Sequence, residues 1–395
     1  MSTSTVPPAG SWINVGAIER ELTALWQQAS EDEDHGVIRS SILNLLVYVP
    51  RTSEAAEVDE LLTDITASHP SRAILMVIDR NAAEARLEAQ VTSRCTLPTG
   101  TSKQVCCEQV TITASGEGVA EVPSAVTPLL LSDLPVYLWW RAVPNIKDKT
   151  LFRKLTDISD RVIIDSALFN DPHGDLVSMA TVLRETPRWT AISDLNWARL
   201  TAWRALLAGF YDIPDYRPLL NQLKQVTIRY GPSTTHPDAI PTRALLLGGW
   251  LASRLGWRLE PGSAKQTAES TSFECSVDGG GFGVEFAHTR REVEPGHLSM
   301  VTLESGADQA VSFTVRRSAD GQRIETSVAR GEEKGVQRVL SYEGLSESEL
   351  AGKELEILGH DRVYEQSMGI RGHRGAIDRT LLRSDKKCRP LPWLG

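Results

Sequence analysis

The sequence predicts an α/β protein: an N-terminal α/β layer domain, followed by a second α+β domain built on an antiparallel sheet. Two observations predict this. Continuous apolar runs, typical of strands buried on both faces of a parallel sheet, alternate with helical patterns in the first half. In the second half, short segments of alternating apolar and polar residues follow one another, separated by Gly or Asp turns. A length of 395 residues suits two to three domains.

The first half alternates strands with helices, as a layered α/β fold requires. Ser193–Phe210 has the best-formed helical pattern, with Ser193 or Asp194 as its cap. Further helices are predicted over Gly16–Ala29, Glu54–Ala67, Gly174–Arg184 and, as a short one after Pro123, Val126–Leu131. Strands are predicted over Ala73–Ile78, Val105–Ile112, Leu134–Trp140 and Arg161–Ile164, and Ile38–Tyr48 fits either structure.

The second half is predicted as a meander of strands with one apolar helix, Pro241–Gly256. The glycine cluster Gly279–Gly283 joins two strands and is typical of a hairpin turn. Strands are predicted over Val226–Tyr230, Thr271–Val277, Gly283–His288, Leu298–Leu303, Val311–Arg316 and Arg323–Val328.

These patterns predict four regions: a flexible N-terminus over 1–12, an α/β domain over 13–222, an α+β domain over 223–365 and a basic tail over 366–395. Between Arg371 and Arg389 basic residues outnumber acidic ones, although the whole chain has a net charge of -9. Such a tail is either a solvated basic end or an arm that docks on the protein itself or on a partner.

Composition excludes several classes of protein. An acidic chain with a pI near 5.5 lacks the basic face that nucleic-acid binding needs. The longest apolar runs, Ile42–Val49 and Ala244–Ala252, are shorter than the roughly 20 residues that cross a bilayer. Met1–Trp12 has neither the charged nor the apolar region of a signal peptide. We therefore expect a cytoplasmic protein that binds neither nucleic acid nor membrane.

The sequence shows no motif for catalysis or for a cofactor. Asp79-Arg80-Asn81 follows the strand Ala73–Ile78, without the glycine-rich turn that lets a backbone approach a pyrophosphate. Walker A, G-x-S-x-G and H-E-x-x-H sequences do not occur either. We expect no catalytic residue, no cofactor and no metal ligand.

The five cysteines form no C-x-x-C motif and no secreted disulfide framework. Cys95, Cys106, Cys107 and Cys275 are expected to be unreactive. Cys388 differs because Lys386, Lys387 and Arg389 surround it, and neighbouring cations lower the pKa of a thiol. Cys388 is therefore a candidate redox residue.

Tryptophan is abundant, with ten residues in the chain, and several lie close to arginines. Trp and Arg are frequent hot spots of protein interfaces, and an arginine can also stack on an aromatic ring. We expect these residues to be either partner contacts or scaffold of the fold. The candidates are Trp139, Trp140, Arg141, Trp197, Arg199, Trp203, Arg204, Arg389 and Trp393.

Arginines near the middle of the chain leave an alternative open. If they converged, they could hold a sugar phosphate, and the protein would be an enzyme or a sensor for such a ligand. The arginines concerned are Arg141, Arg153, Arg184, Arg188, Arg199, Arg204 and Arg217.

Three stretches resemble a known family. Leu129–Arg141 (LLLSDLPVYLWWR), Arg161–Ser166 and Asp194–Arg204 are similar to signature segments of the OpcA family, the glucose-6-phosphate dehydrogenase assembly proteins. The resemblance implies a non-catalytic partner that assembles or allosterically activates glucose-6-phosphate dehydrogenase in the oxidative pentose phosphate pathway of cyanobacteria and actinobacteria.

The resemblance also implies a redox link, because cyanobacterial members connect the pathway to thioredoxin through cysteines. Cys388 is the one cysteine of the basic tail. Its disulfide partner would therefore be Cys95, Cys106, Cys107, Cys275 or a cysteine of another chain. A stand-alone thiol sensor is a third possibility, beside the activator and the sugar-phosphate protein.

Overall fold

The computed structural model describes residues 3–6, 14–31, 37–50, 52–96, 104–145, 147–234, 236–277, 280–290, 292–306, 310–331, 333–341, 344–357 and 359–369. The chain divides into two compact units. The first comprises residues 1–168, 185–195 and 346–360, and the second comprises 169–184, 196–345 and 361–395.

The first unit is built on a nine-stranded sheet whose strands run in the order β1-β5-β6-β4-β3-β7-β8-β9, with β2 paired to β6. Neighbouring strands are parallel throughout β6-β4-β3-β7-β8-β9. Strand β5 pairs with β6 in antiparallel orientation, and β1 pairs with β5 in the same way. Their bounds are β1 Thr3–Val6, β2 Val37–Arg39, β3 Leu43–Val49, β4 Ser71–Asp79, β5 Arg86–Thr96, β6 Gln104–Ser115, β7 Val136–Trp140, β8 Arg161–Ile164 and β9 Ala191–Asp194.

The order β6-β4-β3-β7-β8-β9 is that of a doubly wound sheet, whose winding reverses between β3 and β7. Every residue of β3 and of β7 is buried, as the continuous apolar runs predict for strands covered on both faces. The helices whose residues lie in this unit are α1 Val15–Glu31, α2 Ala55–Ser68, α3 Val122–Val126, α4 Phe152–Asp157 and α9 Glu347–Glu356.

The second unit contains another nine-stranded sheet, in the order β11-β13-β14-β10-β15-β16-β17-β18 with β12 paired to β13. All its pairs are antiparallel except β10 with β14. The bounds are β10 Leu223–Tyr230, β11 Arg258–Leu259, β12 Lys265–Gln266, β13 Ser270–Val277, β14 Gly280–His288, β15 Leu298–Ser305, β16 Val311–Arg317, β17 Arg323–Arg330 and β18 Glu333–Ser341.

The remaining helices include the apolar helix that the sequence predicts, which ends at Gly256 in the left-handed conformation (φ 67°). These helices are α5 Pro172–Glu185, α6 Leu195–Ala198, α7 Thr201–Gly209, α8 Thr242–Leu255 and α10 Arg362–Ser367. The predicted fold class, a mixed α/β protein with two sheets, is confirmed. No helix in the described ranges combines the length and the apolar character that crossing a membrane requires.

The prediction of one helix over Ser193–Phe210 is wrong. Residues up to Asp194 form strand β9, because they pair with β8 in parallel register. The Asp194 carboxylate accepts the backbone N–H of Ser166 at 3.0 Å. The helical part then divides into α6 and α7.

Three smaller differences concern other segments. The ambiguous stretch Ile38–Tyr48 forms parts of two strands, β2 and β3, separated by residues 40–42. The short helical segment near Pro123 covers Val122–Leu129 rather than Val126–Leu131. Strands β5 and β18 were not predicted, and β5 places one cysteine opposite another, as described below.

Candidate functional site

The carboxyl ends of β3 and β7 meet where the winding of the first sheet reverses. In open α/β sheets ligands bind in the crevice at this point. Here the crevice contains Arg141, which directly follows β7 and is only 8% exposed. Its Nη1 donates to Glu347 Oε1 at 2.7 Å and its Nη2 to Glu57 Oε1 at 3.2 Å. The guanidinium therefore ties β7 to the first turns of α2 and α9.

Aromatic and charged side chains fill the space beside Arg141. Tyr48 stacks on Trp140 with 3.7 Å between ring centroids and 8° between planes. Burial raises the pKa of Tyr48, although a hydrogen bond from Arg80 opposes that shift. Arg80 also pairs with Asp148 at 2.5 Å. Arg80 and Arg141 are thus both paired with carboxylates.

This crevice does not fit a dinucleotide. The turn after β3 contains no glycine, so its backbone cannot approach a pyrophosphate as a Rossmann turn does. Glu54 and Glu57 stand at the start of α2, where a pyrophosphate would lie, and their carboxylates would repel it. The features that hold a pyrophosphate in a Rossmann fold are thus missing at this turn.

The first signature segment, Leu129–Arg141, combines a loop with strand β7, whose residues lie in the core. Its loop is held by Asn44, which is fully buried on β3. Asn44 Nδ2 donates to the carbonyls of Leu131 and Leu134 at 3.0 and 3.3 Å, and Asn44 Oδ1 accepts the N–H of Leu131 at 2.8 Å. Trp139 and Trp140 are buried within β7. Their burial favours the scaffold role over direct contact with a partner.

The third signature segment, Asp194–Arg204, also has a structural role, and its residues 196–204 lie in the second unit. Trp197 is buried and its Nε1 donates to Asp361 Oδ2 at 2.8 Å, while the Arg204 guanidinium lies 3.6 Å from the centre of its ring. Asp361 also caps α10 by accepting the N–H groups of residues 363 and 364. Trp203 is buried and Arg199 is half-buried. This segment therefore fixes the beginning of α10.

The candidates in the basic tail, Cys388, Arg389 and Trp393, lie outside the described residues. Nothing in the structure tests their predicted roles.

The cysteines differ from the prediction in one respect. Cys95 and Cys106, expected to be unreactive, form a disulfide, because they stand directly opposite each other on β5 and β6. Cys107 and Cys275 are buried free thiols, and burial raises the pKa of both, that of Cys275 to about 12. The described residues include no cluster of three or more His, Cys, Asp and Glu suited to a metal ion.

The most exposed large apolar side chain in the described part is one that the sequence reasoning missed. Trp189 is 69% exposed in the loop between α5 and β9. A hydrogen bond of 2.8 Å between His360 Nε2 and the carbonyl of Arg188 joins this loop to the segment after α9, which carries Ile357, 38% exposed. We call Arg188, Trp189 and Ile357 the Trp189 surface. The loop's short sequence, Pro187–Thr190, carries no periodicity that would have signalled it.

Several central arginines have local partners. Arg141 binds two glutamates, and Arg153 pairs with Asp157 at 3.0 Å in the same helix. Arg184 donates to Thr181 at 3.0 Å, and Arg217 donates to the carbonyl of Tyr211 at 3.0 Å. These contacts do not favour the sugar-phosphate alternative that rests on these arginines.

Comparison with known proteins identifies two matching family models. The one described as "Glucose-6-phosphate dehydrogenase subunit N-terminal domain" matches residues 62–181, and the one described as the C-terminal domain of the same subunit matches residues 190–368.

Curated relatives carry the name OxPP cycle protein OpcA. The protein from Synechocystis sp. is 29% identical over 315 residues, which are 78% of this chain and 64% of the relative. The protein from Synechococcus elongatus is 33% identical over 201 residues, 50% of this chain and 42% of the relative. The match thus spans less than two thirds of the length of these relatives.

Solved structures show only a distant likeness. The WlbA dehydrogenase from Thermus thermophilus, in complex with NAD and alpha-ketoglutarate, has a TM-score of 0.41 and 13% identity, with 83% of this chain and 93% of that chain covered. Gal80p from Saccharomyces cerevisiae has a TM-score of 0.39 and 8% identity, covering 84% and 86%. Because the two consecutive family models together match most of the chain, the protein belongs to the OpcA family of glucose-6-phosphate dehydrogenase subunits.

Proposed function

We propose that this protein is a non-catalytic assembly factor and allosteric activator of glucose-6-phosphate dehydrogenase in the oxidative pentose phosphate pathway. Membership of the family supports the choice of partner. One observation in the structure supports the non-catalytic role. The crevice at which a doubly wound sheet binds its ligand contains Arg141, whose guanidinium already binds the carboxylates of Glu57 and Glu347.

Activation by such a subunit needs a difference in affinity. The protein must bind the active state of the dehydrogenase more tightly than the inactive state. Each tenfold shift between the two states requires about 1.4 kcal/mol of that difference. A rigid subunit that presents a fixed contact surface can supply it without any chemistry of its own.

We propose the Trp189 surface as a contact with the dehydrogenase. An exposed tryptophan beside an arginine has the composition of an interface hot spot. One hydrogen bond fixes each of its two segments: His360 binds the carbonyl of Arg188 in the loop, and Arg161 donates to the carbonyl of Ile357 at 2.8 Å. A fixed loop loses little conformational entropy on binding, which favours affinity.

Co-elution of the purified protein with the dehydrogenase of the same cell tests this contact. We expect Trp189→Ala to weaken the complex by roughly 30-fold or more, the effect of losing a hot spot of about 2 kcal/mol. Leu168→Ala is the matched control, since Leu168 is also exposed (46%) and follows the other end of β8. Equal weakening by both variants, or by neither, would argue against the Trp189 surface.

The redox part of the proposal rests on Cys388. We propose that Cys388 forms a disulfide with a second cysteine, which reduced thioredoxin converts to two thiols while its own two thiols become a disulfide, and that this change modulates activation. Flanking cations favour the Cys388 thiolate that such exchange needs. Activation by wild-type protein is then expected to differ between oxidised and reduced conditions, and Cys388→Ser should abolish the difference. Cys275→Ser, which removes a buried thiol, serves as the control. A redox dependence that persists in Cys388→Ser would contradict this role.

A further inference from the structure

A cavity of about 340 Å³ lies on the second sheet, at the end where β10, β14 and β16 finish and β15 begins. Three arginines line it: Arg229 from β10, Arg290 from the segment after β14 and Arg316 from β16. Ser299 and Met300 of β15 complete the lining together with Thr289. All of these residues belong to the second unit. The volume is in the range of small-molecule sites.

The register of the sheet brings two of the arginines to one row. Arg229 pairs with Met300 on β15, and Met300 pairs in turn with Arg316 on β16. Two strand spacings separate the arginine backbones by about 9–10 Å. Both guanidinium groups can therefore reach a single ligand placed over Met300.

The positive charge of this cavity is only partly neutralised. Arg316 is paired with Glu325, whose Oε2 lies 2.6 Å from Nη2. Arg229 has a hydrogen bond of 3.3 Å to the carbonyl of His288. Among the described residues, neither Arg229 nor Arg290 has a carboxylate partner. Two guanidinium charges thus remain available to an anion.

A buried hydroxyl points to a ligand independently of the arginines. Residues 229 and 230 of β10 pair with 300 and 298 of β15, so Ser299 is the extra residue of a β-bulge. Ser299 is 3% exposed, yet its Oγ has no hydrogen-bond partner within the described ranges. Buried hydroxyls are normally satisfied, and bulges frequently occur beside functional sites. Ser299 is a lining residue of the cavity, and we infer that its hydroxyl donates to an anion bound there.

We propose that this cavity binds a small phosphate monoester. Such a group carries close to two negative charges at neutral pH, which matches the two guanidinium groups without a carboxylate partner. Its oxygens accept paired N–H groups from arginine forks and a further hydrogen bond from a hydroxyl. The site is distinct from the arginines around Arg141, and it goes beyond the proposed function because it gives the subunit a small-molecule ligand of its own.

Isothermal titration of the full chain with inorganic phosphate, at constant ionic strength set with chloride, tests the site. We expect saturable binding, which the double variant Arg229→Gln/Arg290→Gln weakens by roughly ten- to a hundredfold, as expected for lost charge-assisted hydrogen bonds. Arg258→Gln is the control, because Arg258 is exposed on β11 of the same sheet and is outside the cavity lining. A second titration with glucose 6-phosphate distinguishes a free phosphate site from one that also holds the organic group, which should tighten binding.

Ser299→Ala tests whether phosphate binding is lost through a missing ligand contact or through a destabilised fold. Removal of an unpartnered buried hydroxyl should leave the melting temperature of the ligand-free protein unchanged or higher, while phosphate binding weakens. Binding that is equally strong in the double arginine variant, or equally weak in Arg258→Gln, would overturn the proposal. The same holds if the wild-type protein shows no saturable binding of either phosphate probe. None of these outcomes bears on binding to the dehydrogenase, so the two proposals fail separately.

Discussion

At the scale of single residues, Arg141 shows how the same side chain supports different interpretations in sequence and in structure. The sequence places it after two tryptophans at the end of a strand, a pattern that predicts a partner contact. In the structure its guanidinium is buried between Glu57 and Glu347. Glu347 lies 206 positions away along the chain, so no local pattern could have revealed the pair.

Replacing Arg141 by Met should lower the free energy of unfolding by about 1–3 kcal/mol, measured by urea denaturation. The change removes a buried cation and leaves two glutamates without their partner; the cost is below that of a fully buried pair because Glu57 is exposed. As control, Arg86→Gln removes one member of the exposed Arg86–Glu88 pair and should change the free energy by at most about 1 kcal/mol. Similar losses in both variants would contradict the structural role of Arg141.

His297 should make the stability of the protein depend on pH. Burial lowers the pKa of His297 to about 4, with Arg243 and Arg317 acting in the same direction and Glu294 and the carbonyl of Pro295 opposing them. In the unfolded chain its pKa returns to about 6.5. Between these values the unfolded state binds a proton that the folded state does not, so stability falls as the pH drops from about 6.5 towards 4.

The measurement compares wild-type protein with His297→Gln by urea unfolding at several pH values between 7 and 4.5. Carboxylates titrate in both proteins, so the difference between the two curves isolates the histidine. The wild-type protein should lose stability relative to the variant as the pH falls. A difference that stays constant over this range would show that the pKa of His297 is not lowered.

At the scale of elements, apolar periodicity predicted most strands and helices, including the parallel strands β4 and β8 and the helix α8 that ends at Gly256. Periodicity failed where a strand runs directly into a helix. Residues 193 and 194 continue the pattern of α6 and α7, but pairing with β8 makes them part of β9. Strand β5 was missed, and with it the register that joins Cys95 to Cys106.

The loop that precedes β7 depends on one side chain, Asn44. Asn44→Ala should lower the free energy of unfolding by about 2–4 kcal/mol, because it removes three hydrogen bonds of a fully buried side chain to the backbone of Leu131 and Leu134. Asn81→Ala, in the exposed loop after β4, should change it by less than about 0.5 kcal/mol. Urea denaturation of both variants measures these changes. A change near zero for Asn44→Ala would mean that the loop keeps its conformation without the Asn44 hydrogen bonds.

At the scale of the whole molecule, the sequence could predict two sheets of different type and the absence of a nucleotide motif. It could not show that the parallel sheet has the strand order of a doubly wound fold, nor that Arg141 binds two glutamates at its switch point. Nor could the sequence predict that Trp189 is exposed, because exposure depends on packing against residues that are remote in the chain.

The rate of NADPH formation by glucose-6-phosphate dehydrogenase from the same cell, followed against glucose 6-phosphate concentration with and without this protein, tests the account most directly. We predict a lower apparent KM or a higher maximal rate when the protein is added, and no NADPH formation by this protein alone. NADPH formation by this chain alone, or unchanged kinetics of the dehydrogenase together with no co-elution of the two proteins, would contradict the account.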